Sequence, residues 1–169
     1  MKTLNALLLF IAIFFCNFSS YGQKYGHVNY KQLIDTLSES HVIEAQLSKY
    51  EKSLIDVGEQ MVKAFQDNYK KYQEAIQGGN LTPIQRSQQE SDLQTQQTAI
   101  GNYQNSAKES MQKRNTELLK PFLTKIDTTI KNYGKSEGFS MILDSSMGMI
   151  ISPDNENLFA PLYLILNKK

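Results

Sequence analysis

From Ile43 the apolar residues advance by steps of four and three, through Leu47, Tyr50, Leu54, Val57, Met61 and Ala64, with Lys, Glu, Gln and Ser at most positions between. A stripe with that spacing is the seam of a coiled coil. Beyond Ala64 it slips to Phe65, Tyr69, Tyr72 and Ile76, and such a slip unwinds the supercoil locally. Gly78-Gly79-Asn80 ends the helix, because paired glycines are poor helix formers and good turn formers. A second helix starts at once: Thr82 caps it, Pro83 suits its first position, and Gln85 completes a Thr-x-x-Gln capping box. Its seam reads Leu93, Ile100, Tyr103, Ala107, Met111 and Leu118, but from Ile84 to Ala99 only Leu93 interrupts a run of Gln, Ser, Thr and charge. The pattern predicts an antiparallel helical hairpin over residues 39–119, about 50–60 Å long at 1.5 Å per residue, zipped at its base and sparse at its tip. A hairpin of that length cannot bury itself as a globule; it protrudes or packs against copies of itself.

The flanks carry the period of strands. Tyr25 to Val28 reads as a short strand, followed by a turn or short helix from Asn29 to Leu37. Phe122, Ile126, Ile130 and Tyr133 keep helical spacing as far as Gly134 or Gly138. Phe139 to Leu143 and Met149 to Ile151 read as two strands joined by the turn residues Asp144-Ser145-Ser146-Met147-Gly148. Pro161 opens a last helix through Leu162, Ile165 and Leu166. No single short strand is stable alone. The economical fold is mainly α with a small β body, assembled from residues 23–38 and 120–169, into which the hairpin is inserted. A body that small needs other copies to complete its core. The apolar strand positions Val28, Ile142, Leu143, Ile150 and Ile151 are therefore candidates for a subunit interface.

Residues 1–22 have the three regions of a cleaved secretory leader: positive Met1-Lys2, an apolar run from Leu4 to Cys16, and small Ser20 and Gly22 before Gln23. The apolar run is shorter than the roughly 20 residues that a membrane span needs. Lys2 is the only charge in the leader, so the remainder carries equal numbers of acidic and basic residues. That balance gives no drive toward nucleic acid or an anionic membrane, and Glu and Asp spread along both arms disfavour stable membrane insertion. Without Cys16 there is neither a disulfide framework nor a thiol nucleophile.

Catalytic signatures are missing. No Gly-rich phosphate loop, G-x-S-x-G elbow or H-E-x-x-H occurs, so the reading is of a non-enzyme without a cofactor or metal. His27 and His41 stand on unrelated elements, which makes a poor ligand pair. Asp144 follows an apolar strand, where catalytic carboxylates can sit, but its Ser-rich surroundings favour a turn-forming role. Phe65, Tyr69, Tyr72 and Ile76 are candidate contacts for a polypeptide partner, with helix–helix packing as the alternative. Lys70-Lys71 and Lys113-Arg114 read as solvated faces.

Three blocks resemble the Skp/OmpH family: Lys24-Tyr25-Gly26-His27-Val28-Asn29 with Leu33-Ile34; Leu119-Lys120-Pro121-Phe122 with Ile126 and Ile130; and Tyr133-Gly134-Lys135-Ser136-Glu137-Gly138-Phe139-Ser140-Met141-Ile142-Leu143-Asp144. Their order, the leader and the arm-length polar insert agree as well. The resemblance implies a periplasmic homotrimer whose helical tentacles enclose unfolded outer-membrane proteins without ATP. The chain departs from the family in its neutral charge and in Asn157-Leu158-Phe159, followed by Pro161, before the last helix. A coiled-coil scaffold that binds one folded envelope partner is the competing reading.

Overall fold

The computed structural model describes residues 23–148 and 156–168. The leader, Cys16, the strand expected at Met149–Ile151 and the candidates Ile150 and Ile151 lie outside the described residues. The elements run β1 (Lys24–Val28), α1 (Tyr30–Thr36), α2 (Ser38–Gln77), α3 (Pro83–Ser136), β2 (Phe139–Asp144) and α4 (Phe159–Leu166).

The starts of α1 and α3 follow from local chemistry. Asn29 caps α1 by accepting from the Gln32 N–H at 2.9 Å. The Thr82–Gln85 box closes in both directions, and Pro83 takes the first turn of α3. Between the arms, Gly79 adopts φ +66°, a left-handed conformation that glycine enters without a Cβ penalty. At α2's 40 residues the arm is about 60 Å long.

Helix α3 differs from expectation. It runs for 54 residues without a break and passes through Pro121, so the arm–body boundary expected at residues 119 and 120 falls inside one helix. Proline removes a backbone N–H there and leaves the Glu117 carbonyl without its usual helical donor, at a cost of about 3 kcal/mol. Burial next to the proline outweighs this: Phe122 and Ile126 are almost fully enclosed, and each contributes roughly 1.5–3 kcal/mol.

The core joins the two ends of the chain. Val28, Leu33, Leu37 and Ile43 pack with Phe122, Ile126, Leu158, Leu162 and Leu166. β1 and β2 pair in parallel, with Tyr25 opposite Met141 and Val28 opposite Asp144. The Leu158 N–H donates to the His27 carbonyl at 2.8 Å on the other edge of β1. Packing at the crossing is tight enough to demand glycine, since a Cβ on Gly26 would lie 2.7 Å from Leu158 Cδ1 and 2.8 Å from Phe139 Cε1.

Candidate functional site: the two edges of the helical arm

The arm is a hairpin one side chain deep. Leu47, Tyr50, Leu54, Gly58, Met61, Phe65, Asn68, Tyr72 and Ala75 are half-buried along α2, facing Leu93, Gln96, Ile100, Tyr103, Ala107 and Met111 of α3. The seam therefore steps from Leu54 to Gly58. It does not pass through Val57 and Ala64, which the sequence pattern placed in it and which are exposed. At this step the Tyr103 ring lies over Gly58, and its hydroxyl donates to the Leu54 carbonyl at 2.8 Å; a straight helix turns every 3.6 residues, so a seam drawn strictly every 3.5 drifts off the facing side. Toward the tip the seam turns polar. Asn68 Nδ2 donates to Gln96 Oε1 at 3.1 Å, and the Tyr72 hydroxyl donates to Glu90. That bond raises the Tyr72 pKa above its usual value. The same bond, with Arg86 Nε at 2.9 Å, holds the Glu90 carboxyl below its own.

The two long edges of the hairpin differ. One is polar and lined by Gln46, Lys49, Ser53, Lys113, Arg114 and Glu117, with Tyr50 beneath. The other opens beside Leu54, Ile55, Gly58, Tyr103, Ala107 and Met111 into a groove of about 460 Å³, bordered by the amides Gln104, Gln112 and Asn115 and by the charged Glu51 and Lys108. Toward the tip this apolar edge continues as Val62, Tyr69 and Ile76, which with Ile55 are 37–52% exposed.

Of the four candidate contacts, Tyr69 and Ile76 stand on this open edge. Phe65 and Tyr72 are half-buried in the hairpin seam, and the Phe65 and Tyr69 rings stack at 6.1 Å. Ile55 and Val62 were missed from sequence. The signal was present: Ile55, Gly58, Val62, Phe65, Tyr69, Tyr72 and Ile76 alternate steps of three and four.

The body candidates also separate. Val28 is buried, packed in the core with Leu33 and Ile126. Ile142 is half-buried, its Cδ1 3.0 Å from the position of a Cβ on Gly134. Leu143 is exposed, together with Met141 and Met147.

Asp144 has a structural task. Its carboxylate accepts from the Tyr30 N–H at 3.1 Å and the Ser146 N–H at 2.9 Å, tying β2 to α1 and closing the turn. Burial alone would push this carboxyl up, but the donors at Ser146 and Tyr30 hold it below the usual range. The Tyr30 hydroxyl, partly buried and donating to Asp127 at 2.9 Å, is pushed up to about 12. His27 Nδ1 lies 3.3 Å from Ser145 Oγ, whereas His41 pairs with Glu44 on α2. No group of three or more metal-ligating side chains gathers among the described residues. Among them, too, no helix is long and apolar enough to cross a membrane.

Residues 24–160 match the family described as outer membrane protein (OmpH-like). The chain is also similar in structure to a candidate outer membrane chaperone (OmpH-like) from Caulobacter crescentus CB15, solved at 2.83 Å resolution. The TM-score is 0.76 over 88% of this chain and 86% of that one, at 11% sequence identity, a level at which the likeness speaks to the fold. No curated protein matches the chain.

Proposed function

The chain belongs to the OmpH-like family of outer membrane proteins, and from that premise we propose that it is an exported, ATP-independent holdase chaperone. It works as a homotrimer in the periplasm, where its arms enclose unfolded outer-membrane proteins and prevent their aggregation. The observation that carries this reading is the open apolar edge of the arm, Ile55, Val62, Tyr69 and Ile76, which the chain's own residues leave uncovered. Apolar side chains in water gain free energy when a partner covers them, in proportion to the area removed. A ladder of separate contacts along a thin arm suits a partner without fixed shape, because no rung requires a particular neighbour. Nothing in this action needs a nucleotide, a metal or a catalytic group.

The test is dilution of a urea-unfolded outer-membrane β-barrel protein into buffer with and without the chaperone, followed by light scattering. Wild type suppresses the scattering, whereas Ile55→Ser, Val62→Ser, Tyr69→Ser and Ile76→Ser combined loses most of the protection yet keeps its helical circular dichroism. A wild type that leaves scattering unchanged refutes the holdase reading and favours the scaffold.

A further inference from the structure

Pro121 is exposed, so its ring gains nothing from burial. The burial of Phe122 and Ile126 that carries α3 through this point does not require a proline between Lys120 and Phe122. A local rule broken without a gain in packing marks a place where function sets the residue. Around Pro121, α3 carries a shallow groove of about 1130 Å³. Thr116, Thr124 and Thr129 line it, and each turns its hydroxyl back to the carbonyl four residues earlier at 2.8–3.0 Å. What they offer outward is a methyl group. Glu109, Lys113, Glu117, Lys120 and Lys125 stand around the groove, both signs together. Two of these are already paired, Lys125 with Glu39 at 2.6 Å and Glu117 with Arg114 at 3.7 Å. Proline has no N–H, so the Glu117 carbonyl lacks its helical donor and is left as an open acceptor between two residues that line the groove.

We propose that this groove is a second client-contact site, which takes an extended, unfolded polypeptide by pairing a backbone N–H of the client with the Glu117 carbonyl while client side chains cover the threonine methyls and the Pro121 ring. The open acceptor selects the occupant. A folded helix has spent its N–H groups on its own carbonyls, so a helix of a second copy would bury the acceptor unpaired, which is costly. The hydrocarbon of a bilayer has no donor to give. A chain without structure carries an unpaired N–H at nearly every residue. The mixed charges of the rim agree, since they favour neither a polyanion nor a polycation. Main-chain pairing is indifferent to client sequence, as a chaperone for many clients requires. The proline in α3 is then stability given up for an acceptor that any unfolded chain can use.

This inference rests on the holdase reading, and the experiment separates the two. In the full chain with Cys16→Ser as background, a benzophenone is attached at Thr124→Cys in the groove or at Lys31→Cys on α1, and photo-crosslinks are counted on gels. The probe is a peptide of about ten residues copied from one strand of an outer-membrane barrel, beside the same peptide with its amides N-methylated. Residue 124 should capture the plain peptide severalfold more than residue 31. N-methylation should lower that capture about two- to tenfold, the worth of one hydrogen bond. Pro121→Ala restores the helical donor, so it should weaken capture of the plain peptide and abolish the difference between the two peptides. Equal capture of both peptides before that substitution, or a difference that survives it, overturns the acceptor. Capture of another copy of the chain without peptide, or of phosphatidylcholine when vesicles replace the peptide, overturns the polypeptide occupant. The two readings fail separately: the holdase stands on the light scattering, the groove on residue 124.

Discussion

At the residue scale, Asp144 shows how one side chain holds a junction and how pH would report it. Its carboxyl titrates below the ordinary value because the ionised form accepts from Ser146 and Tyr30. A depressed folded-state pKa means that ionised Asp144 stabilises the fold above its unfolded pKa, and that this contribution disappears as pH falls through the lower folded value. Asp144→Ala should therefore be less stable than wild type in urea at neutral pH, and the gap should close as pH drops below the ordinary carboxyl value of 3.8. A gap that persists at low pH would mean that Asp144 acts through packing. Gly26 makes a steric counterpart. Both the Leu158 and Phe139 side chains would have to move for a Cβ, so Gly26→Ala should lower stability by about 1–3 kcal/mol, read from the urea midpoint.

At the element scale, the arms have a gradient of internal support. The base of α2 is anchored by buried Ile43 and by Leu47 packed on the core, whereas the tip relies on Leu93 and on polar contacts, the Asn68–Gln96 amide pair and the Tyr72–Glu90 bond. Local opening follows the amount of buried apolar contact. Amides of α3 between Ile84 and Ala99 should exchange with solvent much faster than those between Leu118 and Ile130, as hydrogen-exchange mass spectrometry would show. Uniform protection along α3 would contradict the gradient. Pro121 offers a second check. Restoring the missing N–H with Pro121→Ala should raise the urea midpoint by the equivalent of about 1–3 kcal/mol, because the helix is already continuous there.

At the scale of the whole molecule, the body leaves apolar surface beyond its core, with Met141, Leu143 and Met147 exposed along β2 and the turn after it. This is the face expected to meet other copies in the proposed trimer. Leu143→Asp should dissociate the assembly in sedimentation while circular dichroism retains most of the helix, because placing an unpaired charge in an apolar contact costs several kcal/mol, roughly 3–5. A variant that stays trimeric would place the interface elsewhere.

The sequence by itself determined what depends on neighbours along the chain: the capping box at Thr82, the turn at Gly78-Gly79, the helical period of both arms, and the strands read from Tyr25 and Phe139. Local chemistry decides these features, so they are legible without a fold. The tertiary structure decided what depends on contacts between distant residues. Packing of α2 on α3, with Tyr103 lying on Gly58, ran the hairpin seam past Val57 and Ala64 and left both exposed. Burial of Phe122 and Ile126 carried a helix through Pro121. Packing across the two ends of the chain enclosed Val28 and left Leu143 in solvent. A hydrophobic pattern tells which residues need cover. Which of them the chain covers itself, and which it leaves for a partner, is settled only when its two halves meet.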